Sequence, residues 1–357
     1  MNLPIQPPMQ PMLAVLQRQL PEENGWIFEP KWDGFRALVF WDGDELLIQS
    51  RDQKPLDRYF PELQEHLRKI LPKRIVLDGE IVIAGPKGLD FDALLLRIHP
   101  AASRIAKLAK ETPASFVIFD LLAHGDTNWM EAPFEKRRKK LEQIASKFRP
   151  PLYLTPATAD IATAKDWFVR FEGAGLDGVI AKERNQIYIP GKRVMLKIKH
   201  QRTIDCVVGG FRWYKDQKGK AIGSLLLGLY QGKTLHYVGH ASNFQKEERQ
   251  KLVKFLKPYR DKDGTAGFGA GRTPGGISRW TQTADVNWER LRPELICEVA
   301  FDHLQGERFR HAASFLRWRF DKPLKECTFD QIDSAVPFEL KQIFDLDLTK
   351  ANEVNEE

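Results

Sequence analysis

Cysteine is scarce: Cys206, Cys297 and Cys327 are the only three in a chain of 357 residues. They are widely spaced and form no Cys-x-x-Cys pair, which excludes a disulfide framework and a zinc site and fits a reducing cytoplasm. Long apolar runs are missing too, so no segment reads as a membrane helix. The opening Met1-Asn2-Leu3-Pro4-Ile5-Gln6-Pro7-Pro8 is broken by proline and carries no basic lead, so it does not read as a secretory signal. Internal repeats are absent, and His240, His303 and His311 lack metal-ligand spacing. What remains is an ordinary globular composition, 42% hydrophobic and 29% charged. The length exceeds what one compact core usually holds, so two domains are expected.

Net charge is +7 with a pI of about 9.1. The balance is uneven, because residues 331–357 carry seven acidic and two basic side chains, leaving +12 on residues 1–330. A body that basic suits a polyanionic partner, although charge alone also serves solubility.

Residues 1–25 read as a proline-rich lead followed by a short amphipathic piece. Strand patterns follow at 26–29, 37–41 and 45–49, with Asp42-Gly43-Asp44 as a turn. Helical spacing covers 56–69; a strand over 74–83 is interrupted by Asp78-Gly79-Glu80; and 90–110 looks helical. A buried strand spans 114–122, a solvated helix with Glu/Lys/Arg pairs spans 134–147, and a further helix covers 163–174. Strands at 177–182 and 195–199 complete a mixed α+β domain over residues 1–200. Residues 201–330 change texture. Five short strands (205–213, 223–230, 234–240, 295–301, 315–320), a helix over 247–256 and a glycine-rich loop over 264–276 suggest a small OB-type barrel. Residues 331–357 read as a short helix (338–344) and an acidic tail.

One stretch organises the rest: Glu29-Pro30-Lys31-Trp32-Asp33-Gly34-Phe35-Arg36. It places a lysine between two apolar strands at a tight glycine corner, where rigid backbone suits an amine nucleophile. A solvated lysine on a surface hairpin explains the same residues if they stand alone. They do not stand alone. In order follow Ser50-Arg51, Leu77-Asp78-Gly79-Glu80, Phe119-Asp120, Asp177-Gly178-Val179-Ile180-Ala181-Lys182, Met195-Leu196-Lys197-Ile198-Lys199 and Arg317-Trp318-Arg319-Phe320-Asp321-Lys322.

This series resembles the ordered motifs of the covalent nucleotidyltransferases, and specifically of the ATP-dependent DNA ligases, over nearly the whole chain. The blocks at Gln49-Ser50-Arg51, Arg58-Tyr59-Phe60-Pro61 and Phe309-Arg310-His311 look most like the short stand-alone bacterial repair ligases, the ligase C kind. The resemblance implies a nucleotidyltransferase (adenylation) domain followed by an OB-fold domain, acting as a monomer. With few residues ahead of Lys31, no separate N-terminal DNA-binding domain is expected.

The resemblance also implies roles. Lys31 attacks the α-phosphate of ATP and holds AMP, releasing pyrophosphate. A free lysine, with a pKa of ~10.4, is neutral in roughly one molecule in a few thousand at neutral pH. The cations Arg36, Arg51, Lys197 and Lys199, together with partial burial, are expected to favour the neutral amine. Period-two alternation puts Lys197 and Lys199 on one side of a strand and Leu196 and Ile198 in the core. Arg36 and Arg51 offer forked bonds to phosphate. Glu29 would accept from the adenine amino group and Phe119 would stack on the ring, though plain core packing explains Phe119 as well. Glu80 and Asp177 would hold the ribose and a divalent cation, Mg²⁺ or Mn²⁺. Most ligases have Glu where this chain has Asp177, and the shorter side chain favours a water-bridged contact. Glu172 is the alternative donor. Arg317 and Lys322 would orient pyrophosphate on a second domain that swings about a hinge near His200–Thr203.

Nicked double-stranded DNA is the implied partner, read by shape and met by Arg212, Lys215, Lys218 and Lys220. Phe211 and Trp213 beside them fit barrel core. An RNA ligase or capping-type guanylyltransferase of the same superfamily, or a catalytically inactive nucleic-acid-binding module, remain the alternatives.

Overall fold

The structure is a computed structural model. It describes residues 1–332 apart from 87, 201, 262, 265, 270–273, 275–287, 303 and 306, together with residue 343. The helix expected at 338–344 and most of the glycine-rich loop expected at 264–276 lie outside the described residues. The chain divides into two compact units, with the break after His200.

Two large sheets and a small hairpin, Ala84–Gly85 with Gly88–Leu89, build the first unit among the described residues. The larger runs in the order Leu152–Leu154, Ser115–His124, Ile75–Val82, Phe35–Trp41, Leu46–Ser50, antiparallel except for the parallel pair at its first edge. The smaller runs Leu13–Gln17, Arg193–Lys199, Gly178–Glu183, Trp26–Pro30, with its first pair parallel. Strand alternation explains why the central segments are apolar throughout. In Phe35–Trp41, Ala37, Val39 and Trp41 face a core shared with Leu63 and Leu67 of the helix Pro61–Ile70. Leu38 and Phe40 face the opposite way, into a second core.

That second core corrects the reading of the proline-rich lead. Leu3, Ile5, Met9 and Met12 are buried there with Tyr188 and Met195, and Leu13–Gln17 is a strand. The lead is an integral wedge because its apolar side chains fall between two sheets. Two further expectations change. The strand expected to break at Asp78-Gly79-Glu80 is continuous over Ile75–Val82, and the irregularity is a register shift against its neighbour between Asp78 and Gly79. The helical segment over 90–110 is two helices, Phe91–Leu96 and Ala102–Glu111, separated around Pro100, which cannot continue a helix.

The helix Phe134–Ala145 is not the solvated element expected. Phe134, Arg137, Arg138 and Leu141 are buried, a stripe at i, i+3, i+4 and i+7. Two of its four inward positions are arginines, each paired with an acid on a strand.

Beside a separate short hairpin of Leu304–Gln305 and Arg308–Phe309, the second unit is built on an antiparallel sheet in the order Thr234–Ala241, Ile222–Gln231, Arg202–Trp213, Ile296–Phe301, Ser314–Trp318. An isolated bridge between Ala241 and Ala313 links its two edges. Glu289–Arg290 adds a short strand against Gly210 and Phe211. The helix Lys246–Leu256 starts at a Gln245/Glu248 capping box and buries Leu252 and Leu256. Phe211 is core, while Trp213 is half-buried and its indole N–H donates to Glu289 at 3.0 Å.

Candidate active site

Backbone pairing sets the position of Lys31. Its N–H donates to Gly178 O at 2.9 Å, and the Asp177 N–H donates to Lys31 O at 3.0 Å. The turn after the Trp26–Pro30 strand is thereby clipped to the start of Gly178–Glu183. Glycine is required at both corners. Gly178 has φ +137°, and a Cβ there would lie 2.0 Å from Ile198 O; at Gly34 a Cβ would lie 2.1 Å from Ile81 O.

This clip brings Lys31 Nζ to 2.5 Å from Asp177 Oδ2, with the side chains 17% and 7% exposed. Lys199 Nζ reaches the same oxygen at 2.8 Å. The nearest charge to the Lys31 amine is therefore an anion, not the ring of cations expected to surround it. The cations stand one step back. Burial, then Lys199, Lys31, Arg193 and Arg51, holds the Lys197 amine below the ordinary lysine value. Arg51 itself is exposed.

Arg36 does not present an open fork. Its Nε and Nη2 donate to Asp78 Oδ1 and Oδ2 at 2.6 and 2.7 Å, and Nη2 also reaches Met12 O at 3.2 Å. Tyr188 Oη donates to the same Asp78 oxygen at 2.7 Å and accepts from the Met12 N–H at 2.9 Å. Arg36, expected at the phosphates, here forms a partly buried clamp that ties the N-terminal lead to the large sheet. The physical reason is Asp78: fully buried, it needs a charge-assisted partner.

Glu80 sits opposite Arg36 across the strand pair. Burial, only partly offset by Arg36 and Lys31, pushes its carboxyl up to about 7, and its Oε1 accepts from the Gly34 N–H at 3.2 Å. Among the described residues, no group of three or more His, Cys, Asp or Glu side chains converges as a metal cage. Asp177 carries two ammonium partners, so these two carboxylates fit only a cation that brings its own phosphate oxygens and waters, as Mg²⁺ does. Glu172 lies 3.7 Å from His200 Nδ1.

The wall expected to receive the base is a charged, buried layer. Glu29 is 2% exposed; its Oε2 lies 2.8 Å from Lys182 Nζ and its Oε1 3.4 Å from Arg138 Nη1. Lys182 also donates to Phe119 O at 3.0 Å and lies 4.8 Å from the centre of the Phe119 ring, while Arg36 Cζ lies 4.5 Å from it. Next to Phe119, Asp120 makes a two-bond pair with Arg137 at 2.8 and 3.0 Å. Sequence reasoning missed Lys182, Arg138, Asp78 and Tyr188 as parts of this layer.

The second unit carries the remaining expected residues. Arg317 is exposed, with Nε 2.6 Å from Glu298, and Lys322 Nζ lies 2.6 Å from Asp205, which also takes Arg319 at 3.0 Å. Asp205 was not anticipated; it gathers two cations of the last block. Arg212 is half-buried on its strand, and Lys215, Lys218 and Lys220 are exposed on the turn that follows.

Comparison with known proteins gives the family. The family model described as the ATP dependent DNA ligase domain matches residues 11–199, and that for the ATP dependent DNA ligase C terminal region matches 218–322. A protein named DNA ligase C1 from Mycolicibacterium smegmatis is 48% identical over 97% of this chain and 99% of its own length. DNA ligase C from Mycobacterium tuberculosis is 47% identical over 96% and 99%. A solved structure from a structure–function study of Lig E DNA ligases is 18% identical, covers 86% of this chain and 99% of its own, and has a TM-score of 0.52, a likeness of fold. The chain belongs to the ATP-dependent DNA ligases.

Proposed function

We propose that this ligase seals 5′-phosphate/3′-hydroxyl nicks in duplex DNA, with Lys31 as the residue that carries AMP. The observation that supports this most is the Lys31 amine held 2.5 Å from Asp177 and flanked by Lys199. In the first step Lys31 Nζ attacks the α-phosphorus of ATP. The N–P bond forms, the bond from that phosphorus to the β-phosphate oxygen breaks, and pyrophosphate leaves. Asp177 is placed to take the proton that the amine must lose before it can attack. Lys197, Lys199 and Arg51 supply positive charge where the phosphates gain negative charge. A DNA 5′-phosphate oxygen then displaces Lys31 from phosphorus, and the 3′-hydroxyl displaces AMP.

A divalent cation, Mg²⁺ or Mn²⁺, would be held by Glu80 and Asp177 with the nucleotide phosphates, and its chemistry is charge neutralisation at the phosphoryl group. Glu29 accepts from the adenine amino group, and Phe119 lines the base. The second unit is an OB-type barrel, a reading its five-stranded antiparallel order and edge-linking bridge support. Arg212, Lys215, Lys218 and Lys220 bind the DNA backbone from it, and Arg317 and Lys322 serve to orient pyrophosphate during the first step. The protein works as a monomer in the cytoplasm. Sealing of a labelled nicked duplex with ATP and magnesium tests the reading: a ligated product is expected from the wild-type chain and none from Lys31→Ala. A wild-type chain that fails to join the nick contradicts it.

A further inference from the structure

Adjacent arginines on the helix Phe134–Ala145 reach acids on two different strands. Arg137 pairs with Asp120, beside Phe119 on Ser115–His124, and Arg138 reaches Glu29 on Trp26–Pro30. One helix therefore braces both walls of the base site from behind, and it carries no other side chain assigned to that site. The charges facing Glu29 are Lys182 from Gly178–Glu183, Arg138 from this helix, and Asp120, whose own charge is met by Arg137. The Glu29 carboxyl stays above its ordinary value: burial pushes it up, Lys182 and then Arg138 offset part of that push, and Asp120 adds to it.

An ionised carboxylate only accepts hydrogen bonds, whereas a protonated one also donates. At the purine 6-position the two common substituents differ in the same way, an amino group donating and an oxo group accepting. Whether Glu29 is ionised therefore decides which purine it can pair with. Lys182 is committed also to the Phe119 carbonyl and ring. Arg138 is the cation delivered from a separate element, and its Nε is held by Glu142 at 2.7 Å.

We propose that Arg138 is a specificity-determining positioning residue: by keeping Glu29 an acceptor in a buried wall, it selects 6-amino over 6-oxo purine nucleotides. This rests on the reading of Glu29 as the adenine contact. The test compares rates of covalent adduct formation by the full chain with ATP and with ITP, each labelled at the α-phosphate. Lys31 chemistry is common to both nucleotides, so their ratio isolates base choice. Wild type is expected to favour ATP strongly near neutral pH. Arg138→Met should lower the ATP:ITP ratio by roughly tenfold or more, while Arg138→Lys keeps it within about threefold. In wild type the ratio should narrow as pH falls and Glu29 gains its proton.

A purely structural role for Arg138 lowers both rates and leaves the ratio unchanged, and that result overturns the proposal alone. A wild-type ratio near one at neutral pH removes the Glu29 reading and the proposal with it. If Arg138→Met does not fold, Arg138→Gln, which removes the charge and keeps a polar side chain, decides on the same ratio: a fall supports the proposal, and an unchanged ratio overturns it.

Discussion

Lys31 Nζ and Asp177 Oδ2 lie 2.5 Å apart, and Lys199 takes the same oxygen at 2.8 Å. One carboxylate therefore orients the proposed nucleophile and a second ammonium together. Asp177→Ala should slow self-adenylation by about a hundredfold, the ordinary worth of a positioned proton acceptor. Asp177→Glu, which keeps the charge, should retain most of the rate. Single-turnover adduct formation measures both, and an Asp177→Ala chain that adenylates at the wild-type rate removes Asp177 from the step.

Arg137 and Asp120 form a pair with almost no exposure, 0% and 2%. Taking away one partner strands the other in the core, so Asp120→Ala should cost roughly 3–5 kcal/mol in urea unfolding. The double variant Arg137→Met with Asp120→Leu should recover much of that loss, because no unpaired charge remains. If the double variant is as unstable as the single, packing and not charge dominates here.

Glu80 gives a pH signature. Its carboxyl is raised to about 7 by burial, above the ordinary 4.5, so the folded chain binds a proton that the unfolded chain releases between these values. Stability attributable to Glu80 is therefore fully present below 4.5 and is lost as pH rises through about 7. Glu80→Gln should be more stable than wild type above that window by at most roughly 3 kcal/mol, with the difference vanishing on the acid side. Denaturation series across pH check the sign, and a gain that grows toward acid contradicts it.

Lys215, Lys218 and Lys220 are exposed on the turn after Arg202–Trp213. Replacing Lys218 and Lys220 with Gln should weaken binding to nicked duplex and lower the salt slope by about one per lost phosphate contact. An unchanged slope places the DNA contact elsewhere.

Much of this was legible in the sequence. Strand runs such as Phe35–Trp41 and Ser115–His124 show plainly because they are buried on both faces. The order of short motifs carried the family, since each block is weak alone and the series is not. Charged residues inside the core were harder to read. Arg137 and Arg138 lie on the i, i+3, i+4, i+7 stripe from Phe134, a spacing that was visible, yet arginine reads as solvent-facing until its acid partner is known. Those partners, Asp120 and Glu29, are 17 and 109 residues away. The Asp78 partner of Arg36 was hidden in the same way: the motif position pointed to phosphate, and only the fold shows the pairing with an acid 42 residues away.

Intact-mass measurement of the purified chain, stripped with pyrophosphate and then incubated with ATP and magnesium, tests the central claim most directly. The wild-type chain should gain the mass of one AMP, and Lys31→Ala should gain nothing. An adduct that survives Lys31→Ala, or a wild-type chain that never acquires one, contradicts the assignment of Lys31 as the residue that carries the nucleotide.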